Sequence, residues 1–347
     1  MNISVRRRTL LAGLAALGAT AAAAQPVPQP VPWYRSGTVR REIRFAGADG
    51  ATLAGTLLLP LISEIQRVPG VVLIAGSGPT DRDGNNPLIP VRVDVLRLIA
   101  ERLAAAGIAT LRYDKRGIGQ STARPQGSLN AEERFFRWNH FIDDAVAAHA
   151  ELLRHDEIKT YATAFLGHSE GGLLAIAATE AMGTRRPHGL VLASTPGRRL
   201  GEIVHDQIAR SAPPLVGAAD RILAAIRDAG RVPSDISPEL QFIFPPYAGP
   251  FLQSALSFDP AAALARTDNA CLLVHGGADG QIVPMGDIQP LLDTLAHRKA
   301  SGEALVVPAV SHNLKIVSGP TDPGFTGPLA PAIGAKLAEW LAYALGA

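Results

Sequence analysis

The segment Gly167-His168-Ser169-Glu170-Gly171 constrains this chain more than any other. The apolar run Ala162 to Leu166 precedes it and reads as a buried strand, and Leu173 to Glu180 follows as a helix former. A serine at the apex of a strand, a sharp turn and a helix is a nucleophile elbow. The glycines let the backbone fold tightly beneath the serine. Ser169 is then expected above a sheet, at a helix N-terminus, where developing negative charge is favoured. The five residues alone would equally suit a Gly-rich turn with a capping serine. The flanking strand and helix separate the two readings.

The ends of the chain read differently from the middle. Arg6-Arg7-Arg8, an apolar stretch from Leu10 to Ala19 and the small residues ending in Ala22-Ala23-Ala24 form a basic region, a hydrophobic region and a cleavage site. The apolar run is too short to span a bilayer. Residues 1–24 therefore read as a signal peptide cut after Ala24. Arg7-Arg8-Thr9-Leu10-Leu11 resembles the twin-arginine export signal, with Sec export the other reading. A bacterial periplasmic or secreted product is expected, with no stable membrane anchor after cleavage. Residues 25–37 begin Gln25-Pro-Val-Pro-Gln-Pro-Val-Pro32 and predict an extended, proline-rich arm.

The rest is long enough for one large α/β domain with an insertion. The formal net charge of +2 gives no concentrated basic face, so a nucleic-acid partner is not expected. The one cysteine, Cys271, sits in an apolar run and has no partner for an internal disulfide. No His or Cys spacing suits a metal, and no dinucleotide fingerprint follows a strand, so neither metal nor cofactor is expected.

Along the chain, residues 38–60 predict two antiparallel strands joined at Asp49-Gly50. Short strands are expected at Val71 to Ala75, Ile108 to Tyr113, Leu190 to Ala193, Cys271 to His275 and Leu305 to Val307. Amphipathic helices are expected over 92–106, around Phe141 to Leu152 and over Ala332 to Ala344. This alternation predicts an α/β fold with a mostly parallel central sheet and helices on both faces. Between residues 196 and 266 the alternation stops, and Pro213-Pro214, Pro233, Pro238 and Pro245-Pro246 interrupt helical pieces. That stretch reads as a helical cap inserted after the sixth strand, leaving 38–195 and 267–347 as the core.

Ser169 needs a general base, and a serine of this kind finds its acid and then its histidine later in the chain. Two strands end in suitable loops. Cys271-Leu-Leu-Val-His-Gly-Gly-Ala-Asp279 presents Asp279, and Ala304-Leu-Val-Val-Pro-Ala-Val-Ser-His312 presents His312. Open parallel sheets place their sites at these carboxyl ends. His312 is the expected base and Asp279 its orienting acid. Asp287, which reads as a helix start, and Asp268, which precedes its strand, are the rival acids. The oxyanion donors are expected to be the N–H of Glu170 and one from the loop Gly76-Ser77-Gly78-Pro79, either Ser77 or Gly78. In the continuation Thr80 to Asn86, either the charges hold the loop together or Arg82 or an asparagine orients a polar group. Asp114 and Arg116 read as a pair fixing a loop beside the elbow. His168 is a poor base, since in so tight a turn it points away from the serine.

With these pieces assembled, the chain resembles the α/β-hydrolase superfamily, and within it bacterial serine esterases and prolyl-aminopeptidase-like hydrolases. The matching motifs are Gly76 to Asp83, Asp114 to Ser121, Gly167 to Gly171, Gly276 to Asp279 and Ser311 to Lys315. Phe258-Asp-Pro-Ala-Ala261 is similar to the end of the cap in such esterases. The chain departs from many relatives in carrying Ala75-Gly76 where they have His-Gly. The resemblance implies the fold and the Ser-His-Asp triad but no particular substrate. The apolar make-up of residues 196–266 disfavours charged substrates, so hydrolysis of a small-molecule ester of short to medium acyl length through an acyl-enzyme is expected. An aminopeptidase or amidase of the same fold is the alternative, and it would need an acid such as Glu202, Asp206 or Glu239 to hold the substrate amine. A non-catalytic binding protein on this scaffold is the remaining reading. The resemblance leaves the natural substrate and the oligomeric state open.

Overall fold

The computed structural model describes residues 2–3, 34–62, 66–319 and 321–346. Apart from Asn2–Ile3, the expected signal peptide lies outside the described residues, as does most of the proline-rich arm. Eight strands build the sheet: β1 (Tyr34–Ala46), β2 (Thr52–Ile62), β3 (Val68–Ile74), β4 (Ala109–Tyr113), β5 (Ile158–His168), β6 (Gly189–Ala193), β7 (Ala270–Gly276) and β8 (Gly302–Val307). Their order is β1-β2-β4-β3-β5-β6-β7-β8, with Asn2–Ile3 pairing on the outer edge of β8. The first two strands form an antiparallel hairpin turning at 48–50, where Asp49 and Gly50 take positive φ, and β2 joins the rest antiparallel. From β4 across to β8 every pairing is parallel.

The strand sequences explain the layering. In β6 every residue is buried. Leu190 and Leu192 join one core while Val191 and Ala193 join another. In β7, Cys271 and Leu273 face the first core and Leu272 and Val274 the second. Unbroken apolar runs of this kind are what a parallel sheet covered on both faces requires. Helices Trp138–Leu152, Glu170–Met182 and Gln289–His297 cover the first face, and Val95–Ala104 and Pro331–Leu345 the second.

No strand interrupts the described chain between β6 and β7. It carries the helices Leu200–Ser211, Val216–Ala229, Pro238–Gln241, Gly249–Ser257 and Pro260–Ala265. Ile208, Ala219, Ile222, Ile226, Leu240 and Phe244 give this segment a small core of its own.

Candidate active site

Ser169 sits between β5 and helix Glu170–Met182 with φ 56° and ψ −125°, a conformation that costs a non-glycine residue on the order of 1–3 kcal/mol. The surroundings hold it there. The Ser169 N–H donates to Ala193 O at 2.8 Å, and Gly172 N–H donates to Ser169 O at 2.9 Å. A Cβ on Gly167 would overlap the Gly171 carbonyl, and one on Gly171 would overlap the carbonyls of Ile74 and Ala75. The elbow closes only because both positions lack a side chain.

Asp279 and His312 come together through a second close approach. Gly276 ends β7, and a Cβ there would collide with the carbonyls of Val310 and Ser311. Ala278 N–H donates to Val310 O at 2.9 Å, clasping the two loops. His312 Nδ1 then lies 2.8 Å from Asp279 Oδ2. Since a carboxylate only accepts, Nδ1 is the donor in this bond, and Nε2 is the ring nitrogen it leaves uncommitted. The other oxygen, Oδ1, accepts the N–H groups of Gln281 and Ile282 at 2.8 and 2.9 Å. Burial alone would raise this carboxyl, but the His312 charge and hydrogen bond outweigh it and hold Asp279 below the usual carboxylate range.

His168 has a role beyond its place in the motif. Its Nε2 donates to the His312 carbonyl at 2.9 Å, and Ser194 Oγ donates to the same oxygen at 2.9 Å. Two side chains from neighbouring strand ends thus fix the backbone of the candidate base. Burial lowers His168 to about 4, so the ring is neutral at physiological pH. His275, also lowered by burial, donates from Nε2 to Ile282 O at 2.9 Å beside Asp279.

Ser169, Glu170, Ser77 and Gly78 line one cavity of about 750 Å³. His312 lies outside that lining. Among the described residues no hydrogen bond reaches the Ser169 hydroxyl, so the structure does not join it to His312. The N–H groups of Glu170, Ser77 and Gly78 carry no hydrogen bond among the described residues, which leaves them available to an oxyanion.

The rival acids are occupied elsewhere. Asp287 accepts from Arg198 at 3.0 Å and from Val283 N–H at 2.7 Å, and Asp268 pairs with Arg186. Arg82 does not face the cavity. It bonds Asp114 and Glu42, both at 2.7 Å, while Asn86 does line the cavity. Asp114 and Arg116 fix their loop as expected, but not as a pair. Arg116 makes two 2.8 Å bonds to Asp144, with both side chains buried. Lys115 between them is buried against the oxyanion loop. Of these groups, Ser194 gave no signal in the sequence and Lys115 lay in the Asp114 to Ser121 motif without a role, because their partners become neighbours only on folding.

Comparison with known proteins agrees with this geometry at the level of fold. Residues 93–243, less than half of the chain, match the family model described as serine aminopeptidase, S33. No curated relative matches the chain in sequence. Est1E from Butyrivibrio proteoclasticus, solved with ferulic acid bound, aligns with a TM-score of 0.57 at 16% identity over 87% of this chain and 99% of its own. The acetyl xylan esterase from Paenibacillus sp. R4 aligns with a TM-score of 0.57 at 18% identity over 92% and 89%. The proline iminopeptidase from Mycobacterium smegmatis aligns at 0.56 and 15% identity over 88% and 98%. The chain is an α/β-hydrolase in fold.

Proposed function

We propose that this chain is a serine hydrolase that cleaves carboxylic esters of short to medium acyl length through an acyl-enzyme on Ser169. The wall of the cavity carries the reading. It is apolar and aromatic over much of its extent, with Phe136, Phe141, Tyr247 and Phe251 among its residues, and its polar side chains are mostly amides and cations such as Gln207, Gln241 and Arg124. Among the described residues its single carboxylate is Glu170, which burial raises above the ordinary range and the charge of Lys115 only partly restores. An aminopeptidase must hold an ammonium group, and among the described residues this wall has no exposed carboxylate to do so. Glu202 and Asp206 are turned to Arg198, at 3.0 and 2.7 Å, on a different groove. Glu239 lies outside the cavity lining.

The reaction follows from the donors and acceptors around Ser169. His312 Nε2 takes the hydroxyl proton as Oγ attacks the ester carbonyl. The carbonyl π pair moves onto oxygen, where the N–H of Glu170 and of Ser77 or Gly78 hold it. Collapse expels the alcohol, which leaves with the proton from His312, and water repeats the sequence to free the acid. Asp279 keeps the imidazole in the right tautomer and stabilises its charged form. Residues 196–266 act as the cap, since Leu200, Val204, Phe244 and Leu252 supply much of the apolar wall. Residues 1–24 direct export to the periplasm or beyond.

Turnover of nitrophenyl esters of increasing acyl length, beside amino-acid nitroanilides, tests this reading. Ester turnover that peaks at short or medium chains, without nitroanilide turnover, is expected. The reverse preference would establish the aminopeptidase.

A further inference from the structure

Lys115 is a buried cation spent on backbone. It is 4% exposed, and Glu170, the carboxylate whose charge reaches its ammonium, makes no ion pair with it among the described residues. Burying an ammonium without a contact ion pair is costly. Its Nζ instead donates to Gly76 O at 2.5 Å and to Gly78 O at 2.9 Å, both in the loop that faces Ser169. The flanking residues leave Lys115 little freedom, since Asp114 is bound to Arg82 and Arg116 to Asp144.

The planarity of the peptide turns this contact into a statement about catalysis. Gly76 C=O and Ser77 N–H belong to one trans peptide and point in opposite directions. An ammonium that fixes the carbonyl therefore fixes the N–H. Gly76 is also next to the candidate nucleophile, for a Cβ built on it would sit 3.3 Å from Ser169 Cβ. The neighbouring peptides are placed differently. The Gly78 carbonyl is joined to Pro79 nitrogen, which has no hydrogen to donate. Ser77 O is engaged by the Thr80 hydroxyl at 2.7 Å, and Gly78 O also accepts Thr80 N–H at 2.8 Å. Only the Gly76–Ser77 unit has a charged donor on its oxygen and a free N–H on its other side. A charge-assisted bond to a carbonyl also polarises its amide, which makes that N–H a stronger donor.

We infer that Lys115 is a positioning residue that aims and strengthens the Ser77 N–H as the second oxyanion donor. The inference rests on the acyl-transfer reading above, and it selects Ser77 over Gly78.

The test compares two ketones of the same chain. A trifluoromethyl ketone accepts Ser169 Oγ at its carbonyl carbon while the serine proton passes to His312 and the carbonyl π pair moves onto the ketone oxygen as negative charge. The matching methyl ketone stays a ketone. Lys115→Met is expected to lower kcat on a nitrophenyl ester by about 100-fold, the loss typical of one oxyanion donor, with KM within about threefold. Its affinity for the trifluoromethyl ketone should fall by a similar factor while that for the methyl ketone holds. Lys115→Gln, a neutral donor, is read in the same way should the methionine variant fail to fold. Unchanged kcat, or equal loss of affinity for both ketones, would overturn the inference. A wild-type enzyme that prefers the trifluoromethyl ketone, with variants that keep that preference, sinks this inference alone. A wild-type enzyme that turns over no ester and shows no such preference removes both it and the acyl-transfer reading.

Discussion

Ser169 is the residue on which every chemical role here converges, and its backbone strain is held by interactions fixed before any substrate arrives. Ser169→Ala should lower kcat on a nitrophenyl ester by a factor on the order of 10⁶, as loss of a serine nucleophile can, and steady-state turnover of the purified variant checks it. Gly171→Ala places a methyl against the carbonyls of Ile74 and Ala75, so the elbow cannot form as it stands. Buried imidazoles set an acid limit on stability. His149, bonded to Thr163 Oγ1 at 2.9 Å, and His168 are both lowered by burial to about 4 from 6.5. Between pH 6.5 and 4 the unfolded chain takes up protons that the folded chain refuses. Stability is therefore full above about 6.5 and falls as pH drops toward 4, by on the order of 3 kcal/mol per ring. Thermal melts across this range should show the decline, and His149→Gln should flatten it. A melting temperature that rises on acidification would contradict the assignment.

Elements bring these residues together, and some of that was legible in the chain. The elbow is legible because glycine spacing, an apolar strand and a helix former coincide within twenty or so residues, a local signal. Asp279 and His312 are legible because each follows a short apolar run that ends in a loop. The hairpin is legible over 38–60 from its turn, and its strands extend to Tyr34 and Ile62, so that residues 34–37 of the expected arm belong to β1. Lys115 and the double grip of His168 and Ser194 on His312 are not legible, since they depend on strand neighbours that the topology assigns. Two contacts between elements have predictable weight. Arg116 holds Asp144 on helix Trp138–Leu152 and also donates to Ala48 O and Phe135 O, at 2.9 and 3.1 Å. Asp144→Ala strands a buried guanidinium, and urea unfolding should show a loss of about 3–5 kcal/mol. Phe251 on helix Gly249–Ser257 packs its ring 5.5 Å from Trp138 and 5.2 Å from Phe141, centre to centre. Phe251→Ala should cost about 3 kcal/mol and shift the preferred acyl length, since it enlarges the same cavity.

At the scale of the whole molecule, a parallel sheet with one apolar core on each face supports loops at its carboxyl edge. The helices between β6 and β7 carry their own small core and lend an aromatic wall to the cavity over Ser169. That wall, poor in carboxylate among the described residues, suits an ester better than a peptide with a free amine. The central claim is narrower: one hydroxyl among all those in the protein is the nucleophile. Mass spectrometry of tryptic peptides after reaction with a fluorophosphonate tests it most directly. The account predicts a single adduct, on Ser169, that disappears in Ser169→Ala. An adduct on Ser77 or Ser121, or a wild-type protein that takes up no label, would contradict it.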